Sequence, residues 1–152
     1  MKKVLLVSIF LVGFLTCSIE IQPVSAAVTL AVSPASITFL DSDPDLVPSL
    51  AANNTVLVTV TVTGNAGKSW SLTHLAGGDL SPSIPISNVS WTVSPQSPFV
   101  NGSMSRSVPQ TAASGTGNRT KISGTFTFII ANLWSYNTGS YSVSTTFTLS
   151  AP

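Results

Sequence analysis

The sequence predicts an all-β fold, a single antiparallel β-sandwich of about seven to nine strands behind an N-terminal signal peptide. Two observations carry this prediction. Apolar and polar residues alternate with period two over many short segments, as expected for strands that bury one face. The breaks between these segments are rich in Gly, Pro, Asn and Asp, the residues that favour turns.

Residues 1–26 have the three parts of a secretory signal peptide. Lys2 and Lys3 form a positive end, an apolar run follows at 4–15, and small residues at 24–26 mark a cleavage site. One alternative is a membrane anchor, but about 12 apolar residues fall short of the roughly 20 that a spanning helix needs. Lipidation at Cys17 is a second alternative. We expect cleavage after residue 26 and a secreted, extracellular or cell-wall-associated protein.

The remaining 126 residues (152 minus 26) fit one domain, 27–152, with a single core. Its clearest strand is 56–63, where one face is entirely valine and the other is mostly threonine. β-Branched residues suit a pleated surface. Similar alternation occurs at 28–32, 37–40, 70–75, 89–93, 122–130 and 140–149.

Turn residues separate these segments, and no helical period follows residue 26. The turn signals lie at 33–34, 43–44, 64–67, 77–79, 94–95, 115–118 and 137–139. The stretch 109–119 is rich in Ala, Ser, Gly and Thr, and we expect a hairpin loop there. Strands at this spacing predict an immunoglobulin-like sandwich.

After residue 26 the chain has no cysteine, no glutamate, one histidine and four aspartates, so little acid–base chemistry is available. A nucleophilic triad would need His74 beside a serine and an acid such as Asp79, and the chain has no Gly-x-Ser-x-Gly motif. Glycoside cleavage needs two carboxyl groups in different environments, whereas three of the four aspartates share one loop. We therefore expect a non-enzymatic protein, with His74 at a solvent-facing or edge position.

The charges after residue 26 sum to zero. Four cations oppose four aspartates: Lys68, Arg106, Arg119 and Lys121 against Asp41, Asp43, Asp45 and Asp79. Nucleic-acid binding requires a basic stripe, and polybasic membrane binding requires clustered Lys and Arg. The sequence has neither, so we expect no nucleic-acid partner and no stable membrane span in the mature chain.

Asp41, Asp43 and Asp45 stand at alternate positions, as at the start of a calcium-binding loop. An EF-hand would continue with Gly and Glu where this chain has Leu46 and Ala52. Two interpretations stay open, a weak extracellular calcium site and a polar turn after the preceding strand. Apart from that calcium ion, we expect no cofactor.

The aromatic residues also allow two roles. Trp70, Trp91, Trp134, Tyr136 and Tyr141 suit the core of a sandwich, because each buries a large apolar area. Alternatively, Trp134 and Tyr136 would point to the same side of a strand and form a platform for sugar rings, as in carbohydrate-binding modules.

Two stretches resemble the WxL family of bacterial wall-associated proteins. The first is the Trp-Ser-Leu sequence at 70–72, and the second is the C-terminal segment 141–152. In the second segment Tyr141, Thr146, Leu149 and the closing proline match the family pattern, while Phe147 stands where the family has tryptophan.

This resemblance implies a non-catalytic surface protein that attaches non-covalently to peptidoglycan. The residues implied in binding are Trp70, Leu72, Tyr141, Phe147 and Leu149. Each motif also places its apolar residues on one face of a strand, so core packing is the alternative role.

The segment 27–32 supports a rival interpretation. The chain is similar to spore-coat-U-like and archaic chaperone–usher pilins, which are exported sandwiches that polymerise when one subunit's N-terminal strand completes the next subunit's sheet. The alternating segment before Pro34 would be such a donor strand, or else the domain's own first strand.

The sequence therefore predicts a non-enzymatic, secreted or cell-surface structural or adhesive protein that binds the bacterial cell wall non-covalently. Its partner would be peptidoglycan or another surface glycan. The alternatives are a pilin-like subunit that binds copies of itself, and a carbohydrate-binding module.

Overall fold

The computed structural model describes residues 26–137 and 140–152, and most of them lie in strands and the turns that join them. The strands of this part of the chain are β1 (Ala27–Ser33), β2 (Ser49–Ala51), β3 (Val56–Thr63), β4 (Ser69–Ala76), β5 (Val89–Ser94), β6 (Gly102–Ser103), β7 (Gln110–Thr116), β8 (Arg119–Ala131) and β9 (Thr145–Ser150).

Two antiparallel sheets pack face to face. The larger has the strand order β1-β3-β8-β5-β6, with β2 also pairing with β8, and the smaller has the order β7-β4-β9. The predicted all-β antiparallel sandwich is therefore confirmed. Among the described residues the helical content is one 3₁₀ turn, Ile86–Asn88, and no helix there is long and apolar enough to cross a membrane. The predicted signal peptide lies outside the described residues, except for Ala26.

Strand β3 lines the core with valine alone. Val58, Val60 and Val62 are fully buried, whereas Leu57 on the opposite face is 47% exposed. β3 pairs with β1 on one side and with β8 on the other, and β8 brings Phe126 into the same core. The period-two pattern of the sequence thus corresponds to one buried and one solvated face.

Strand β4 is the centre of the smaller sheet. Its alternate residues Trp70, Leu72, His74 and Ala76 are all buried, and β9 pairs with β4 and packs Phe147 against the same core. A strand with neighbours on both sides, facing a second sheet, has every inward side chain covered. The prediction that His74 occupies a solvent-facing or edge position is therefore wrong.

The stretch 109–119 forms strand β7 rather than the expected loop. Ala112 and Ala113 are fully buried, and β7 pairs with β4. Small residues are required here because the Trp70 ring lies against Gly115, where a Cβ atom would come within 2.7 Å of the indole. Gly115, one of the small residues that indicated a loop, leaves space for the Trp70 ring of the neighbouring strand β4.

Other element boundaries also differ from the prediction. The segment 37–40 forms no strand, and only Phe39 pairs there, through an isolated bridge to Ala52. The last strand begins at Thr145, so only the second half of the predicted segment 140–149 is extended and paired. Strands β2 and β6 have three and two residues, too few to produce a visible period in the sequence.

The core encloses His74 among aromatic rings. Its imidazole stacks on Phe147 with ring centroids 3.9 Å apart, and it meets Trp91 and Phe128 edge-on at 5.5 and 5.7 Å. Neither ring nitrogen has a hydrogen-bond partner. Burial away from water disfavours the charged form and lowers the pKa of His74 to about 4.

We predict that Gly124→Ala destabilises the fold by about 1–3 kcal/mol, because overpacking a core forces rings and backbone to move. A Cβ atom at Gly124 would lie 2.7 Å from Cγ of Phe99, a fully buried ring. Gly78→Ala is the matched control, since a Cβ atom there meets nothing within 4 Å. Urea denaturation of the two variants measures the difference, and equal midpoints would contradict the packing argument.

We predict that stability falls as pH decreases from about 6.5 to about 4. The unfolded chain binds a proton at His74 near its ordinary pKa of 6.5, whereas the folded chain does so only near 4. Stability is therefore complete above pH 6.5 and decreases by up to about 3 kcal/mol by pH 4. Urea denaturation at several pH values measures this loss. His74→Leu should flatten the dependence in this range, and a variant that loses as much stability as the natural chain would contradict the assignment.

Candidate functional site

The most exposed aromatic side chain of the described residues lies at one end of the sandwich, in the turn that follows β8. Trp134 is 68% exposed. Two segments meet there, 41–47 and 132–136, and we call them the Trp134 platform. They also carry Leu46, 79% exposed, and Leu133, 44% exposed.

Asn132 joins the two segments of the platform. Its side-chain amide Nδ2 donates hydrogen bonds to the carbonyls of Ser42 and Val47, each at 2.9 Å. Its backbone N–H donates to the carbonyl of Pro48. Asn132 follows directly on β8 and is itself buried, so it ties the 41–47 loop to the end of the longest strand.

Asp45 holds the Trp134 indole in place. The indole Nε1–H donates to Oδ1 of Asp45 at 3.0 Å. The backbone of Asp45 is in turn fixed, because its N–H donates to Oδ1 of Asp43 at 2.9 Å. With the polar edge of the indole satisfied within the protein, the exposed ring surface is available to a partner.

Asp43 and Asp45, two of the three aspartates that the sequence left open as a calcium site, form hydrogen bonds within the platform. Within residues 26–137 and 140–152, no three His, Cys, Asp or Glu side chains converge closely enough to hold a metal ion. The Asp43 carboxylate accepts a hydrogen bond from the backbone of its own turn, and the Asp45 carboxylate accepts the indole hydrogen bond. Both carboxylates therefore stabilise the platform. These contacts favour the polar-turn interpretation, because aspartate side chains bond readily to nearby backbone N–H groups.

Trp134 and Tyr136 do not share one face of a strand. The chain turns at Trp134, the backbone N–H of Tyr136 donates to the carbonyl of Leu133, and the Tyr136 hydroxyl accepts a hydrogen bond from Asn88. Tyr136 is half-buried against the core. The alternative in which Trp134 and Tyr136 point to the same side of a strand and form a platform is thus wrong. Trp134 is exposed, whereas Tyr136 packs against the core.

Four of the five residues of the WxL resemblance come together in the smaller sheet, and Tyr141 precedes its last strand. β4 and β9 are paired, with Leu72 opposite Leu149 and His74 opposite Phe147. Trp70 and Leu72 are buried, and Phe147 and Leu149 pack against the core, while Tyr141 is 38% exposed. The structure favours the packing role for the four strand residues, since a partner would reach Trp70 or Leu72 only by opening the core.

The catalytic arrangement considered for His74 does not form. The imidazole makes no hydrogen bond to Asp79 or to any serine of the described residues. Asp79 instead accepts a hydrogen bond from the backbone N–H of Ile86 at 2.9 Å and lies 3.4 Å from the guanidinium of Arg106.

Sequence reasoning missed Asn132, the residue that organises the platform. Its only local signal is an asparagine directly after a long alternating segment, where a strand ends. Its partners lie 85 and 90 positions away in the chain, so the contact depends on the fold. Comparison with protein-family models, with curated protein sequences and with solved structures found no match to this chain.

We predict that Asp45→Ala frees the Trp134 indole while lowering stability by less than about 1 kcal/mol, because the hydrogen bond is solvent-exposed. Proton–nitrogen NMR should show faster solvent exchange at the Trp134 Nε1–H, assigned with Trp134→Phe. Asp45→Asn keeps an acceptor oxygen and should retain the slow exchange. An unchanged Trp134 signal in Asp45→Ala would contradict the contact.

Proposed function

We propose that this protein is an exported, non-enzymatic surface protein that binds the bacterial cell wall non-covalently through the Trp134 platform. The observation that carries the proposal is an exposed tryptophan held in a fixed position by its own loop. Trp134 is 68% exposed, yet its indole N–H is bonded to Asp45 and its turn is anchored by Asn132.

A fixed aromatic ring suits a glycan partner. Sugar rings present apolar C–H surfaces that stack on an indole, and a rigid ring loses little conformational entropy on binding. Tryptophan is also among the residues that contribute most to binding energy. The exposed apolar side chains Leu46 and Leu133 extend the same surface. The N-terminal sequence supports export, since residues 1–26 have the pattern of a signal peptide.

The test is co-sedimentation of residues 27–152 with isolated peptidoglycan sacculi. Trp134→Ala should weaken binding about tenfold or more, since loss of a central tryptophan contact typically costs at least about 2 kcal/mol. The matched control is Leu57→Ala, which truncates an exposed apolar side chain, 47% exposed, on the outer face of β3. Equal binding by the natural chain and Trp134→Ala would contradict the proposal. Binding to cellulose but not to sacculi would favour a carbohydrate-binding module for another glycan.

Assembly by strand exchange is the second candidate, and the weak burial of β1 supports it. β1 pairs along seven residues of β3, yet two of its three inward side chains, Val28 and Val32, remain 40% and 37% exposed. Detaching β1 would therefore expose little apolar area. Pelleting without sacculi, lost on deletion of 27–33 while the rest of the domain stays folded, would favour this function.

A further inference from the structure

The charged side chains of the described residues are segregated along the strand axis. Within that part of the chain one ion pair forms, between Arg106 and Asp79. The remaining six charges divide by sign. Three negative ones, Asp41, Asp43 and Asp45, lie in the 41–47 segment, and three positive ones are Lys68, Arg119 and Lys121.

The three positive side chains lie where two turns meet. The turn from β3 to β4 contacts the turn from β7 to β8: the N–H of Gly117 donates to the carbonyl of Lys68, and the N–H of Asn65 donates to Oδ1 of Asn118. Arg119 begins β8 immediately afterwards. We call Lys68, Arg119 and Lys121 the basic end of the domain.

Strand β8 separates the two sets of charges. It runs from Arg119 at the basic end to Ala131, next to the Trp134 platform. Thirteen residues at the rise of a strand span roughly 40 Å. We call Asp41, Asp43 and Asp45 the acidic end. The charges after residue 26 therefore sum to zero but are separated by sign along the direction of β8.

We propose that copies of this chain associate head to tail, with the basic end of one copy against the acidic end of the next. The two ends carry equal and opposite formal charge, so each end repels its like and attracts the other. The acidic end also offers Trp134, an aromatic surface on which a guanidinium or ammonium group binds favourably. Two different surfaces of the same molecule form this contact, so repetition yields a linear chain of copies unless the rotation closes a ring.

The outer faces of the sheets do not compete for this contact. They carry mainly uncharged hydroxyl side chains, exemplified by Thr59 and Ser123, whose oxygens lie 2.8 Å apart on the larger sheet. Net charge near zero promotes association of proteins. In the part of the chain that the structure describes, the unpaired charges that can orient two copies are therefore concentrated at the two ends.

This association goes beyond wall binding: it uses the platform on one copy and adds a second surface, the basic end, on the next. The basic end contains none of the platform residues, so its substitution tests self-association without altering wall contact. Trp134 lies at the acidic end, and a docked copy would cover it. In a linear chain of copies, one terminal copy keeps its platform exposed.

The first test is sedimentation velocity of residues 27–152 over a range of concentrations. We expect concentration-dependent oligomers at about 10 mM salt and monomers at about 1 M, where the Debye length falls from about 30 to 3 Å. Monomers at every concentration in low salt would overturn the proposal. Oligomers that persist at high salt would also overturn it, and would point to strand exchange.

Charge variants locate the contact. K68Q/R119Q/K121Q removes three positive charges from the basic end and should weaken association about tenfold or more. S33E/T92E/S94E gives the same net charge by adding three negative side chains at exposed positions of β1 and β5. These positions are level with Thr125 and Thr127 of β8, away from both ends, so this variant should still associate. If the control also loses association, net charge rather than the basic end is responsible, and the proposal fails. Circular dichroism verifies that each variant is folded.

Mixing two variants of opposite charge tests whether association can be restored. K68E/R119E/K121E makes both ends negative, and D41K/D43N/D45N/L46K makes both ends positive while keeping acceptor atoms at positions 43 and 45. Neither variant should associate alone, and an equal mixture of the two should. A mixture that stays monomeric overturns the proposal. Because K68Q/R119Q/K121Q keeps every platform residue and frees the platforms that docked copies would cover, it should bind sacculi at least as well as the natural chain, so failure of self-association and failure of wall binding are distinguishable.

Discussion

Three aromatic rings pack directly against strand glycines, and the rest of the core is arranged around these contacts. Trp91 lies against Gly102, Trp70 against Gly115 and Phe99 against Gly124, each so closely that a Cβ atom would overlap the ring. Rings at these sites fill the space between two sheets of unequal size. The domain thereby buries a continuous core without a disulfide, since the chain after residue 26 contains no cysteine.

This core leaves almost no place for polar chemistry. His74 is the one buried titratable side chain of the described residues, and its surroundings are aromatic, with no acid, base or hydroxyl bonded to either nitrogen. A buried ring of this kind must stay neutral to be tolerated, because no neighbouring charge compensates for a proton. The imidazole stacks on Phe147, so the neutral ring also packs β4 against β9.

The side chains on which both proposals rest lie at the ends of the sandwich. The exposed faces carry hydroxyl groups in a repeating array, whereas the exposed tryptophan and most of the charges lie in or beside the loops. The platform depends on the core for its position, since Asn132 extends directly from β8 and holds the aspartate loop by its carbonyls. Rigid strands that present functional loops at one end are a common way to combine stability with binding.

The sequence by itself determined the fold class, because alternation with period two reports which side chains a strand buries, and 56–63 shows it without ambiguity. It also limited the chemistry through its lack of cysteine and glutamate after residue 26. Tertiary structure decided the rest. Whether 109–119 was a loop or a strand depended on the Trp70 ring that covers Gly115, and whether Trp134 was core or surface depended on a turn held by Asn132. Such contacts join residues far apart in the chain, and local patterns carry no information about which distant partner a side chain meets.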